Sequence, residues 1–312
     1  MLDRWPEDAR RVLERCIANA QPGDFAVFDA DNTLWRYDLT EAMMVWLERR
    51  GVVCLHQIPP HRMPIPANEG ESVWGYYVRL CARSVVVGYQ WAAQCFAGVQ
   101  VATLHAEMVE MLADGGPFDV VSGDGADRTT GSIHLPQAYE AQRQLVEALR
   151  AAEVAVWIVS ASPEELVRRF AITHAGFSFP DTQICGVNLL LSWEDERVDA
   201  GALARERGET PWRDAGWAEA RVTGWPVTPL TWFEGKLAGI RRWIAPHRAP
   251  LLVAGDSPND LPMMRSVDPD RGVCLRIRAK SVYDEVFASE RLAAGGEWIT
   301  VEPEALRPIR LG

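Results

Sequence analysis

Two aspartates, Asp29 and Asp31, flank a single alanine at the end of the apolar run FAVFD (25–29). A short apolar run between turn residues is typical of a buried strand in a parallel sheet. In an extended segment the side chains at positions i and i+2 lie on the same side, so we expect the two carboxylates to be neighbours. Crowded carboxylates repel unless a cation binds between them or one keeps a proton. The pair indicates a metal-bound nucleophile beside a general acid, and the alternative is a turn with capping aspartates.

A second pair of carboxylates, Asp256 and Asp260, lies in the segment GDSPNDLPMM (255–264), after the apolar run LLVAGD (251–256). The segment begins as a turn and continues into a predicted short helix. Oxygen donors are the ligands that Mg²⁺ takes in proteins, together with waters that it keeps. The pair therefore predicts a magnesium site, unless these residues only form the turn after the strand.

Ser160 and Lys236 could each contact a phosphate group. Ser160 ends the predicted strand VAVWIVS (154–160), where its hydroxyl and the N–H groups of the next helix can donate hydrogen bonds to an anion. Lys236, in FEGK (233–236), begins a predicted helix, where its charge opposes the helix dipole. A bound phosphate would explain both placements. The alternatives are a serine that only caps its helix and a lysine in solvent.

These residues come at the ends of predicted strands that alternate with predicted helices. Such alternation is typical of the α/β class with a doubly wound parallel sheet, in which ligands bind outside the carboxyl ends of the strands. Residues 36–135 lack the alternation and are predicted to be an inserted, mainly helical cap, so that the core comprises 1–35 and 136–312. The predicted strands span 25–29, 154–160, 182–191, 221–230, 251–256, 272–277 and 297–301, and the predicted helices include 6–20, 39–50, 71–82, 100–113, 137–152 and 235–245.

The composition limits the partners and the location that we expect. Acidic residues outnumber basic ones by 43 to 32, which disfavours nucleic acid and anionic membrane surfaces as partners. No stretch approaches the roughly 20 apolar residues of a membrane span. The N-terminal segment has no secretory signal, and the 6 cysteines form no CxxC pair, so we expect a cytoplasmic protein with reduced thiols. The oligomeric state is left open.

Four motifs, in this order, resemble those of the haloacid dehalogenase superfamily: FDADNT, VSAS (159–162), the lysine of FEGK and GDSPND. The resemblance spans residues 25–265, and the last motif is most similar to the phosphoserine phosphatase branch. It implies that Asp29 attacks phosphorus to form an aspartyl phosphate, while Asp31 protonates the leaving oxygen and then activates water. The implied Mg²⁺ ligands are Asp29, the backbone carbonyl of Asp31 and Asp256, with Asp260 behind them, and the implied phosphate ligands are Ser160, Lys236 and Asn259.

The order of the motifs also bears on the segment VSGDGAD (121–127), which mimics the fourth motif with Asp124 and Asp127. This segment precedes Ser160 and Lys236, whereas the fourth motif of the superfamily follows them. We therefore interpret it as part of a connection over 115–135 from the insertion back to the core.

The carboxylate two positions after the nucleophile separates activities within the superfamily. Dehalogenases lack it, so the resemblance implies phosphoryl chemistry here, on a small phosphorylated substrate. The chain contains no nucleotide-binding loop of the form GxxxxGK[ST], which disfavours a kinase. Two alternatives stay open: a phosphotransferase or mutase with the same motifs, and a non-catalytic protein that binds a phosphorylated metabolite.

The insertion carries residues that could select the substrate. Glu41 and the paired Tyr76 and Tyr77, with Trp35 at the entrance, combine a carboxylate with aromatic rings. Such a set recognises quaternary ammonium groups by cation–π attraction. The spacing from the first motif to Glu41, the paired tyrosines and the stretch SASPEELVR resemble bacterial phosphorylcholine phosphatases. Phosphocholine is therefore a candidate substrate, and packing of the cap core is the alternative role of these aromatic residues.

Overall fold

The structure, a computed structural model, describes residues 2–123, 128–177, 179–208, 217, 219–293 and 295–311, and Asp124 and Asp127 lie outside these ranges. The strands are β1 (Phe25–Phe28), β2 (Trp35–Arg36), β3 (Phe118–Ser122), β4 (Thr129–Ile133), β5 (Gln137–Tyr139), β6 (Ala155–Pro163), β7 (Ile184–Val187), β8 (Leu189–Trp193), β9 (Glu196–Val198), β10 (Arg221–Pro226), β11 (Leu252–Gly255), β12 (Val273–Ile277), β13 (Glu297–Val301) and β14 (Pro308–Arg310). The helices are α1 (Glu7–Ala18), α2 (Leu39–Arg49), α3 (Val73–Arg83), α4 (Val85–Gln94), α5 (Val101–Asp114), α6 (Glu140–Ala151), α7 (Glu164–Arg169), α8 (Ala200–Ala202), α9 (Glu234–Gly239), α10 (Leu261–Met264) and α11 (Asp284–Ala293).

Six of the strands form a parallel sheet in the order β13-β12-β11-β1-β6-β7. In its centre Val27 pairs with Val253 on one side and with Trp157 on the other. β1 and β11 are buried along their whole length, which explains why their sequences are continuous apolar runs without polar alternation. The predicted α/β class with a parallel-sheet core is confirmed.

The sheet order brings the chemically interesting residues to one edge. β1 lies between β11 and β6, and all three strands run in the same direction. Asp29 follows β1, Asp256 follows β11, and Ser160 and Ser162 lie in the last part of β6. Adjacent strand ends therefore present these side chains to a common site.

The insertion begins and ends at a small antiparallel sheet. Trp35 in β2 pairs with Ala138 in β5, and β14 pairs with the other side of β5. Between β2 and β5 the chain forms α2 to α5, followed by the antiparallel pair of β3 and β4. The division into a core and a cap stays a prediction.

Three details of the predicted elements are wrong. The segment 115–135 contains the hairpin β3-β4 where a connection was predicted, and its β-branched residues, such as Val120 and Thr130, favour strands. The predicted strand 182–191 is two strands, since β7 belongs to the parallel sheet and β8 to an antiparallel sheet of order β10-β8-β9. The first three residues of the predicted helix 137–152 form β5.

None of the helices in the described part of the chain combines the length and apolar character that a membrane span requires.

Candidate active site

Three buried carboxylates meet at the ends of β1 and β11. One oxygen each of Asp29, Asp256 and Asp260 lies within 4.8 Å of the others. Lys236, at the start of α9, is fully buried beside them, and its Nζ donates to Asp29 Oδ1 and, at 2.5 Å, to Asp260 Oδ1. Burial lowers the pKa of Lys236, but Asp260 and Asp29 outweigh it and raise this pKa above its ordinary value. One ammonium group therefore faces three carboxylates.

This excess of negative charge makes the cluster suitable for a divalent cation. Among the described residues none donates a hydrogen bond to the carboxylate of Asp256. Burial, Asp260 and Asp29 raise the pKa of Asp256 well above its usual range. Burial and Asp260 raise the pKa of Asp29 to about 7, although Lys236 opposes them. A bound cation would remove this penalty, and hard oxygen donors at this spacing fit Mg²⁺.

Asp260 differs from the other two because both of its oxygens accept close hydrogen bonds, whereas among the described residues Oδ2 of Asp29 accepts only a long one, from the hydroxyl of Thr33 at 3.4 Å. Oδ1 accepts from Lys236, and Oδ2 accepts from the backbone N–H of Asp256 at 2.9 Å and of Ser257 at 3.0 Å. A Cβ atom at Gly255 would lie 2.5 Å from Cβ of Asp260, so position 255 requires glycine. Asp260 therefore holds the turn and Lys236 in place, while Asp29 and Asp256 keep oxygens directed to the site.

The carboxyl group of Asp31 accepts hydrogen bonds from three neighbouring residues, one of which is held in turn by a fourth. Oδ1 accepts from the indole Nε1 of Trp35 and from the backbone N–H of Leu39, both at 2.8 Å. Oδ2 accepts from the hydroxyl of Ser162 at 2.5 Å, and Ser162 accepts in turn from the hydroxyl of Thr40 at 2.8 Å. Trp35 is fully buried, and its polar edge orients Asp31. Its contact with substrate stays a prediction.

The surroundings of Asp31 favour exchange of a proton near neutral pH. Burial and the charge of Asp38 raise the pKa of Asp31 to about 7, against the hydrogen bonds from Ser162, Leu39 and Trp35, which lower it. A group with such a pKa can donate a proton and later accept one.

Ser160 and Asn259 both line the space above Asp29. The hydroxyl oxygen of Ser160 accepts from the backbone N–H of Ser162 at 3.1 Å, so its hydrogen is available to a ligand. The amide oxygen of Asn259 accepts from the backbone N–H of Phe233 at 2.6 Å, which orients the NH₂ group of Asn259 away from Phe233. Contacts of Ser160, Asn259 and Lys236 with phosphate stay predictions, and Lys236 is not among the residues that line the cavity.

A cavity of about 290 Å³ extends from these strand ends to the helices of the insertion. Two of the lining carboxylates, Asp38 and Glu41, come from the first turn of α2 and lie near aromatic side chains. The aromatic residues of the lining are Trp74, Tyr77, Tyr89 and Tyr283. Burial and Glu41 raise the pKa of Asp38 to about 7, and burial raises that of Glu41 to about 7 although Lys280 opposes it.

Tyr76 and Tyr77 have different surroundings. Tyr77 lines the cavity. Tyr76 is fully buried, donates to the backbone oxygen of Ile65 at 2.7 Å and packs its ring 4.7 Å from that of Trp91. Consecutive helical residues point in different directions, so only one of the pair can face the cavity. The contact of Tyr76 with substrate stays a prediction, whereas its observed role is packing.

Several residues of the cavity lining were not predicted from the sequence, among them Asp38, Tyr89, Lys280 and Tyr283. Asp38 had a usable signal, because an aspartate three residues before a glutamate marks a helix start, and its carboxylate accepts from the backbone N–H of Glu41 at 2.9 Å. Lys280 and Tyr283 come from the connection after β12, and no local pattern links that segment to the insertion.

Comparisons with known proteins agree with this architecture. The chain is 33% identical, over 327 aligned positions, to the phosphorylcholine phosphatase of Pseudomonas aeruginosa strain PAO1, covering 98% of this chain and 93% of that protein. A protein of unknown function from Anaerococcus prevotii DSM 20548 has a similar structure, with a TM-score of 0.62, 15% identity and coverage of 94% of this chain and 92% of the other. Another, from Bordetella pertussis Tohama I, gives a TM-score of 0.53 at 15% identity, covering 89% and 97%. No protein-family model matches the chain.

The parallel sheet with its carboxylate cluster defines a phosphatase of the haloacid dehalogenase superfamily. Within that superfamily, the chain belongs to the family of the phosphorylcholine phosphatase of P. aeruginosa.

Proposed function

We propose that this protein is a Mg²⁺-dependent phosphomonoesterase that hydrolyses phosphocholine through an aspartyl phosphate on Asp29. The observation that carries the proposal is the composition of the cavity. Asp29, Asp31 and Asp256 line it from the strand ends, and Asp38 and Glu41 line it from the start of α2, together with aromatic rings. An anionic phosphate and a cationic leaving group would therefore each meet suitable groups in the same cavity.

The metal would be held by Asp29 and Asp256, with the backbone carbonyl of Asp31 as the further predicted ligand. When bound, Mg²⁺ supplies positive charge that attracts the phosphate and stabilises charge developing on its oxygens. Lys236 supplies a second positive charge beneath Asp29, and this keeps the Asp29 carboxylate ionised for attack.

In the first half of the reaction an oxygen of Asp29 forms a bond to phosphorus while the bond from phosphorus to the ester oxygen breaks. Asp31 transfers its proton to that ester oxygen, so the oxygen leaves as a hydroxyl group and Asp31 becomes a carboxylate. The hydroxyl of Ser160 and the amide NH₂ of Asn259, which both line the cavity, would donate hydrogen bonds to the phosphoryl oxygens.

In the second half a water molecule attacks the phosphorus of the aspartyl phosphate. Asp31 takes a proton from the water, the bond between phosphorus and Asp29 breaks, and inorganic phosphate leaves. Asp29 is again a carboxylate and Asp31 is again protonated, so the enzyme is ready for another substrate. The shared use of Asp31 requires a group that exchanges its proton near neutral pH.

The preference for phosphocholine rests on Asp38, Glu41 and the aromatic rings of the cavity lining. Carboxylates and aromatic faces attract a quaternary ammonium group, which needs no hydrogen bonds from its surroundings. The P. aeruginosa relative carries the name phosphorylcholine phosphatase, which supports the same substrate for this chain.

The proposal is tested by measuring inorganic phosphate and free alcohol released from phosphocholine, glycerol phosphate and an aryl phosphate, with Mg²⁺ and with EDTA. We expect Mg²⁺-dependent release that is fastest with phosphocholine, with one choline per phosphate. Equal rates for phosphocholine and glycerol phosphate would contradict the substrate, and full activity in EDTA would contradict the metal. Choline release in excess of phosphate would instead indicate transfer to another alcohol.

A further inference from the structure

The first turn of α2 contacts the carboxyl group of Asp31 by two routes. The backbone N–H of Leu39 donates directly to Oδ1. The hydroxyl of Thr40 donates to Ser162, and Ser162 donates to Oδ2. Thr40 and Ser162 are each only 6% exposed, so bulk water does not compete for these hydrogen bonds. The hydroxyl chain therefore runs in one direction, from Thr40 through Ser162 to Asp31.

These donors decide which oxygen of Asp31 carries its proton. Oδ1 accepts from the N–H of Leu39 and the indole N–H of Trp35, and both of these groups can only donate. A carboxyl oxygen has two lone pairs, so Oδ1 has no site left for a proton. Oδ2 accepts only from Ser162 among the described residues and keeps a second lone pair. The proton of the acid form therefore lies on Oδ2.

We propose that Ser162 and Thr40 are positioning residues for proton donation by Asp31; this rests on the general-acid role proposed above. When the proton passes from Oδ2 to the ester oxygen and the bond from phosphorus to that oxygen breaks, negative charge remains on Asp31. The hydroxyl of Ser162 already donates to the oxygen that gains this charge. Thr40 fixes the direction of that hydroxyl because it occupies a lone pair of Ser162. The arrangement stabilises the charge without reorganisation, as preorganised donors do.

The first turn of α2 also contributes side chains to the lining of the cavity. Asp38 caps the turn by accepting from the backbone N–H of Glu41, and both side chains line the cavity beside Thr40. A leaving group bound against Glu41 would therefore contact the turn that orients Asp31. Loss of the Thr40 hydroxyl should consequently appear in the bond-breaking step more than in substrate binding.

The test compares Ser162→Ala and Thr40→Val with the wild type on an alkyl phosphate, phosphocholine, and on an aryl phosphate. An alkoxide needs a proton in order to leave, whereas a nitrophenolate leaves without one, so only the alkyl ester depends on proton donation. The ratio kcat/KM covers the reaction from free enzyme and substrate up to release of the alcohol, so it excludes hydrolysis of the aspartyl phosphate. Thr223→Val is the matched control, because it removes a hydroxyl that donates at 2.7 Å to a backbone oxygen of β8, outside the cavity.

We expect Ser162→Ala to lower kcat/KM for phosphocholine roughly ten- to a hundredfold, the value of a hydrogen bond to a charged group. Thr40→Val should lower it less, and both should change the aryl phosphate by less than about twofold. Equal losses on both esters, or no loss on the alkyl ester, would overturn the positioning role. Asp31→Asn separates the two proposals: if it spares the alkyl ester, the general acid itself is wrong, whereas if it alone is defective, only the roles of Ser162 and Thr40 are wrong.

Discussion

The indole Nε1 of Trp35 lies 2.8 Å from Oδ1 of Asp31, and both side chains are buried. Trp35→Phe keeps an aromatic ring against Phe170, with which Trp35 makes an edge contact at 4.8 Å, but removes the donor. We expect kcat/KM for alkyl phosphates to fall about tenfold, since the carboxylate left by proton transfer loses a partner. Steady-state kinetics measure this fall in kcat/KM, and a thermal melt checks that the variant stays folded. A change confined to the KM for phosphocholine would contradict it and restore a substrate contact.

Mg²⁺ should stabilise the folded protein, because the three carboxylates come together only in the native state. At a free Mg²⁺ concentration of 100 times Kd the gain in unfolding free energy is about 2.7 kcal/mol. Thermal melts across a Mg²⁺ titration measure it. Asp256→Asn should abolish the rise in Tm, whereas Asp270→Asn, at an exposed position, should retain it. A rise that survives Asp256→Asn would place the metal elsewhere.

Lysine occurs at only two positions of the sequence, and the two form a matched pair. Lys236 is fully buried against Asp29 and Asp260, whereas Lys280 is exposed at the rim of the cavity. Lys236→Met should destabilise the metal-free protein by about 3–5 kcal/mol, the cost of leaving buried carboxylates unpaired, and should lower kcat and raise KM. Lys280→Met should leave the unfolding free energy nearly unchanged in denaturant titrations. Similar unfolding curves for both variants would contradict the role given to Lys236.

Tyr77 and Tyr76 allow the cation site to be separated from packing. Tyr77→Leu should reduce the preference for phosphocholine over glycerol phosphate by about two- to thirtyfold, from a cation–π contact of roughly 0.5–2 kcal/mol. Glu41→Gln should also reduce it, because it removes a negative charge that attracts the cation. Tyr76→Leu should lower Tm, because it creates a cavity beside Trp91, and should leave the preference unchanged. Ratios of kcat/KM measure the preference. Loss of preference in Tyr76→Leu but not in Tyr77→Leu would reverse the assignment.

The sequence was sufficient to place the residues at the strand ends. Buried parallel strands are continuous apolar runs, and polar residues directly after them must lie at the same edge of the sheet. Asp29 and Asp256 follow two strands that prove to be neighbours, which the sequence pattern alone does not specify. The two carboxylates lie within 4.8 Å of each other because of this strand order. The family resemblance implies that they share a metal but does not come from the strand pattern.

The direction of individual side chains was harder to predict. An aromatic residue at the entrance of an insertion can face substrate or protein, and the sequence does not show that the indole of Trp35 donates to Asp31. The sequence pairs Tyr76 with Tyr77, although helical geometry directs the two side chains differently. Lys280 and Tyr283 reach the cavity from a segment remote in sequence, and such contacts are set by tertiary packing.

The most direct test of covalent catalysis by Asp29 is to trap the intermediate. Enzyme mixed with phosphocholine and Mg²⁺ is quenched in acid within the first turnover, digested and examined by mass spectrometry. We predict that the peptide containing residues 25–36 gains the mass of one phosphoryl group at Asp29. The variant Asp29→Asn should give no phosphorylated peptide and at most a few per cent of wild-type phosphate release. Phosphate release by Asp29→Asn at the wild-type rate, without deamidation of the asparagine, would contradict the covalent mechanism.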